Sequence, residues 1–173
     1  MNIVLLGYRG TGKSTVARLL ANELKRKLVS LDEIIVQTAG KPVPRIVSED
    51  GWPRFREMES QAVENITTRE NNCVIDCGGG AILDARNTEN LRRNGKTVLL
   101  TASFDAILKR VERDPNRPSL KEGISIQEEI KQTLAERQGK YLAAADMVCD
   151  TTRADPLKTV REIISHFQQK GWI

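Results

Sequence analysis

The chain has 173 residues, a formal charge of +4, 39% hydrophobic and 29% charged residues. Such a composition excludes disordered, collagenous and membrane-spanning chains, and at about 150 residues per domain the length predicts one domain, 1–173. The basic excess suits an anionic small ligand, whereas scattered charges and 4% aromatics argue against nucleic acid.

The first element expected is a buried strand, Asn2–Leu6. Its apolar run is too short for a transmembrane helix or a signal peptide, so a cytoplasmic chain with no membrane partner is expected. Gly7-Tyr8-Arg9-Gly10-Thr11-Gly12-Lys13-Ser14 then fits G-x-x-x-x-G-K-[ST], between that strand and a helix expected over 14–24. In such a loop the backbone N–H groups converge on phosphate oxygens, and the helix N-terminus adds partial positive charge. Gly10, Thr11, Gly12, Lys13, Ser14 and Thr15 are therefore candidate ATP contacts. Lys13 would reach the transferred phosphate and Ser14 would bind Mg2+.

Leu28–Ser30 reads as the second buried strand, with Asp32 just beyond it. Phe55-Arg56-Glu57-Met58-Glu59 lies early in an amphipathic helix with Ala62, Val63 and Ile66. Glu59 follows Arg56 by three residues and can hold its guanidinium, although the pair alone could equally be a surface ion pair. Cys73–Asp76 reads as the third strand. Gly78-Gly79-Gly80 follows it and either offers backbone N–H groups to a close ligand or forms a flexible turn.

Gly95 is expected to stop a helix before a fourth strand, Thr97–Thr101. The stretch 113–123 is the one long irregular segment. Beyond it, Arg137 shares an apolar stripe with Ile130, Leu134 and Tyr141. An arginine there wants an anion, or else snorkels or stacks on Tyr141. Met147–Cys149 reads as the fifth strand. Asp155-Pro156 should start a last helix with an apolar stripe of Leu157, Val160, Ile163, Ile164 and Phe167. His166, beside that stripe, is read as structural. Cys73, Cys77 and Cys149 are expected to be reduced thiols with no zinc. Five short strands alternating with helices predict an α/β fold, a parallel sheet covered on both faces.

Taken together, Gly7–Thr15, Asp32, Phe55-Arg56-x-x-Glu59, the glycine triplet, Arg117-Pro118 and Arg137 resemble the shikimate kinase family, in the same order and nearly end to end. The resemblance implies a three-layer α/β/α P-loop kinase fold with a five-stranded parallel sheet. It also implies substrate-binding helices over about 32–60 and a mobile lid over about 113–123. The implied reaction is ATP-dependent phosphorylation of the 3-hydroxyl of shikimate, giving ADP, on the route to chorismate and the aromatic amino acids. Arg56 and Arg137 would clamp the shikimate carboxylate, with help from Gly78, Gly79 and Gly80. Asp32 would take the acceptor proton, with Lys13 and Arg117 completing the catalytic set. Arg110, Arg117 and Arg153 would join the ATP contacts. A monomer using Mg2+ is implied.

One departure concerns the metal. The family pattern Asp-x-Asp reads Ser30-Leu31-Asp32 in this chain, so the first acid is missing. Asp76 is a candidate replacement, supporting Mg2+ together with Ser14; otherwise it caps the following loop. The alternatives are a kinase of another small polyol acid, resembling gluconate kinase, and a nucleotide-binding module with impaired catalysis.

Overall fold

The computed structural model describes residues 1–114, 118–121, 123–153 and 155–173, so Arg117 lies outside the described residues. Strand β1 (Asn2–Leu6) is buried along its whole length. It pairs in parallel with β3 (Cys73–Asp76) on one side and β4 (Gly95–Thr101) on the other. The edge strands are β2 (Lys27–Ser30) and β5 (Met147–Asp150), which gives an all-parallel order β2-β3-β1-β4-β5.

Helices cover both faces, which is why the central strands read as unbroken apolar runs instead of alternating ones. Val4, Leu6, Ile75 and Leu99 face one core, shared with α3 (Val43–Arg69), α4 (Ala85–Arg93), α5 (Phe104–Val111) and α6 (Ile126–Ala144). Ile3, Leu5, Val74, Val98 and Leu100 face the other, under α1 (Lys13–Glu23) and α7 (Pro156–Gln169). Fully burying each such side chain is worth about 1.5–3 kcal/mol, so the sheet fixes the frame on which the loops stand.

Local signals set the helix boundaries. Ser30 caps α2 (Leu31–Ala39), its hydroxyl accepting from Glu33 N–H at 3.3 Å, and Asp155 caps α7 ahead of Pro156. Three expectations need correction. Strands β2 and β5 are not buried throughout, since each stands at a sheet edge and leaves Leu28 or Val148 exposed. Gly95 opens β4, while Asn94 ends α4. Leu157 is 46% exposed, because it stands in the first turn of α7, short of the core reached by Val160, Ile163 and Phe167. Helix α3 breaks at Gly51 (φ 80, ψ 165), a conformation favouring glycine, and so consists of two arms. Among the described residues no helix is long and apolar enough to cross a membrane.

The chain runs from β1 outward to β2, returns to β3 beside β1, then crosses to β4 on the far side. In an open parallel sheet this reversal leaves a crevice at the carboxyl ends of the strands. The loops after β1, β2 and β3 all deliver residues there.

Candidate active site

Two adjoining chambers fill the crevice. The first, of about 210 Å³, is walled by the glycine loop after β1, with Asp76, Gly78 and Arg110. Gly12 is the N-cap of α1, with φ 87 and no side chain to cap it. Among the described residues the amides of Ser14 and Thr15 find no acceptor within the protein. A helix start left in this state, with the macrodipole behind it, is an anion site. Lys13 is buried and its Nζ donates to the Tyr8 carbonyl at 3.0 Å.

Arg110 braces this loop from behind. Its guanidinium donates to the Gly10 carbonyl at 3.0 Å and to the Thr151 carbonyl at 2.8 Å. Those carbonyls fix its orientation. Arg153 is exposed and walls neither chamber.

The second chamber, of about 400 Å³, opens on the other side of the glycine triplet. One wall is apolar, from Pro42, Val43, Pro44, Trp52 and Phe55; Arg56, Glu59 and Arg137 form a polar wall. Arg56 donates from Nη1 to Glu59 Oε2 at 2.6 Å, and its guanidinium carbon lies 5.1 Å from the Trp52 ring centre and 5.2 Å from that of Phe55. The arginine is thus held by one carboxylate and two ring faces, yet remains 26% exposed toward the chamber. Burial pushes the Glu59 carboxyl above its usual range, against the pull of Arg56.

Arg137 donates to the Gly79 carbonyl at 3.1 Å, and the Tyr141 hydroxyl donates to the same oxygen. Burial raises the Tyr141 phenol to about 12, so it stays a donor. These bonds fix the triplet, and the amides of Gly79 and Gly80 are left without an acceptor among the described residues. Gly80 packs directly on the Arg56 guanidinium, where a Cβ would overlap it. Only glycine lets the triplet and the arginine sit this close.

Arg9, Asp32, Gly78 and Gly79 belong to both chambers. Asp32, in the first turn of α2, is thus the carboxylate at the common wall. Tyr8, Arg9, Trp52 and Tyr141 were not singled out as site residues from the sequence. Each acts through residues distant in the chain or through a turn-dependent ring contact.

The hard oxygens of Ser14 and Asp76 both line the first chamber. Ser30 and Asp76 are register partners on adjacent parallel strands, so the absent acid and the present one stand about 4.8 Å apart. Among the described residues no group of three or more His, Cys, Asp or Glu could hold a metal alone. Ser14 and Asp76 supply the one or two protein oxygens through which Mg2+ binds beside substrate phosphates and water.

A model of the shikimate kinase family matches residues 9–168. The sequence is 40% identical over 172 residues to the shikimate kinase of Pelotomaculum thermopropionicum, covering 99% of this chain and 98% of that one. It is 38% identical over 180 residues to that of Syntrophus aciditrophicus, covering 98% and 92%. The shikimate kinase of Acinetobacter baumannii, solved in complex with shikimate, superposes with a TM-score of 0.91 at 30% identity, covering 98% of this chain and 93% of that one. For the enzyme of Aquifex aeolicus the TM-score is 0.81 at 28% identity, covering 99% of both.

Proposed function

This chain belongs to the shikimate kinase family, and we propose that its reaction, phosphoryl transfer from ATP to shikimate, is divided between the two chambers as follows. The first chamber takes the triphosphate on the amides of Ser14 and Thr15 at the start of α1, with Lys13 beside the transferred group. The second takes shikimate. Its carboxylate meets Arg56 and Arg137 and the amides of Gly79 and Gly80, while its ring lies against the apolar wall.

Asp32 accepts the proton of the 3-hydroxyl as that oxygen attacks the γ-phosphorus, giving shikimate 3-phosphate and ADP. Glu59 holds Arg56 in position. The role of Arg117, stabilising charge on the transferred group, is supported by the family resemblance alone. Ser14 and Asp76 would hold Mg2+, which when bound neutralises the phosphate oxygens and orients the leaving group. A monomer stays part of this reading through the family resemblance.

The observation that carries this reading is Asp32 in the common wall, between bare amides on one side and paired arginines on the other. An ADP-release assay with two variants tests it. Lys13→Ala should abolish turnover with a folded protein, and Arg137→Ala should raise KM for shikimate far more than KM for ATP. A reversed split for Arg137→Ala would put shikimate outside the second chamber.

A further inference from the structure

Glu129 is a buried carboxylate with no part in the scheme above. It lies in the first turn of α6 and is 3% exposed. A carboxylate kept from water needs a full set of partners. Its Oε2 accepts from Ser119 Oγ at 2.5 Å, from Leu120 N–H at 2.8 Å and from Lys121 N–H at 3.2 Å. Its Oε1 pairs with the guanidinium of Arg9, in the glycine loop. Arg9 is itself 8% exposed, and it donates from Nη1 to the Pro118 carbonyl at 3.1 Å and from Nε to the Tyr8 hydroxyl at 3.3 Å. Residues 118–121 form a strap held from both sides by one buried ion pair. Pro118 and Leu120 of this strap line the second chamber, as does Arg9.

We infer that Arg9 and Glu129 are positioning residues for the transfer: as a buried pair they fasten strap 118–121 over the shikimate chamber. They thereby set how firmly the acceptor is held and how well water is kept from the transferred phosphoryl group. This rests on the placement of shikimate proposed above. A short segment without helix or strand bonds opens locally at low free energy, and this half-buried strap, anchored otherwise only by the packing of Leu120, would do so. Removing either member of a buried pair strands the other's charge, so the pair favours one arrangement strongly. Water competes with the acceptor hydroxyl whenever such a cover lifts. The glycine loop grips nucleotide with its amides and the strap with the Arg9 side chain, and Glu129 walls neither chamber, so breaking the pair at Glu129 spares nucleotide affinity.

The test compares Glu129→Ala, Glu129→Gln and Arg9→Ala in the full chain. Three readouts are needed: hydrogen exchange of the Leu120 and Lys121 amides, KM for shikimate against KM for ATP, and ATP hydrolysed without acceptor relative to product formed with it. Glu129→Ala and Arg9→Ala should each lose amide protection and raise KM for shikimate about tenfold or more. The unproductive share of hydrolysis should rise in both, while KM for ATP in Glu129→Ala moves about twofold at most. Glu129→Gln keeps an oxygen for the two amides and should fall between Glu129→Ala and the parent. A merely structural role would lower kcat and thermal stability without separating the two KM values. Unchanged amide protection in both alanine variants overturns the inference. Lost protection with unmoved shikimate KM and hydrolysis also overturns it, and Arg137→Ala decides separately whether shikimate occupies the chamber.

Discussion

Replacing Gly80 with alanine tests the clamp with one methyl group. Gly80 has φ −104 and ψ −5, which alanine adopts freely, so the backbone meets no strain. The added Cβ would overlap the Arg56 guanidinium. That group is held at 2.6 Å by Glu59 and lies 5.1 Å from Trp52, so it cannot yield without leaving both. Once displaced, it loses a charge-assisted contact with the acceptor carboxylate, worth about 1.5–3 kcal/mol. At about 1.4 kcal/mol per decade, kcat/KM for shikimate should fall about 10- to 100-fold. KM for ATP should stay put and serves as the internal control in a coupled ADP-release assay. The combination with Arg56→Ala should be no worse than Arg56→Ala alone, because the methyl then has nothing to displace. A Gly80→Ala enzyme with normal kcat/KM for shikimate, or a double variant whose losses multiply, would refute the reasoning.

Further outcomes follow from the same geometry. Asp76→Ala should raise the Mg2+ concentration needed for half-maximal activity, since Asp76 stands beside the position where Ser30 supplies no charge; an unchanged Mg2+ titration sinks that role. Glu59 carries a raised carboxyl pKa in the fold, so its contribution to stability is present at low pH and is lost as pH rises through the folded value. The Tm of Glu59→Gln relative to the parent should therefore improve as pH rises from about 4, the ordinary carboxyl range, checked by melts at a series of pH values. Burial holds the Cys77 thiol well above its ordinary value and the Cys149 thiol at about 12, so neither should react with iodoacetamide at neutral pH until the chain unfolds, as mass spectrometry would report.

The sequence shows most of the frame. A strand buried on both faces has no polar side to interrupt it, so β1 and β3 are legible to the residue. Arg56 and Glu59 are legible for a different reason, since residues three apart in a helix must meet. The glycine loop is legible because its spacing is chemical necessity. The Arg9–Glu129 pair, the Tyr141 bond to Gly79 and the Arg110 brace leave no such trace. Their partners lie far off in the chain, 62 residues for Tyr141 and Gly79, 41 and 100 for Arg110 with Thr151 and Gly10, and farther still for Arg9 and Glu129, and only the folded sheet brings them together. Leu157 shows the converse limit, as an apolar residue at the right period in a turn that overhangs the core.

Helix α6 carries Glu129, Arg137 and Tyr141 on one side, at steps of eight and four. Each residue advances a helix by about 1.5 Å and about 100°. Inserting or deleting a single residue between positions 129 and 141 would swing every later group about a quarter-turn off its mark. The interval therefore behaves as a fixed gauge: point changes can accumulate along its outer side, but its length cannot drift. Across related chains, gaps should cluster in the segments flanking α6 and spare that interval.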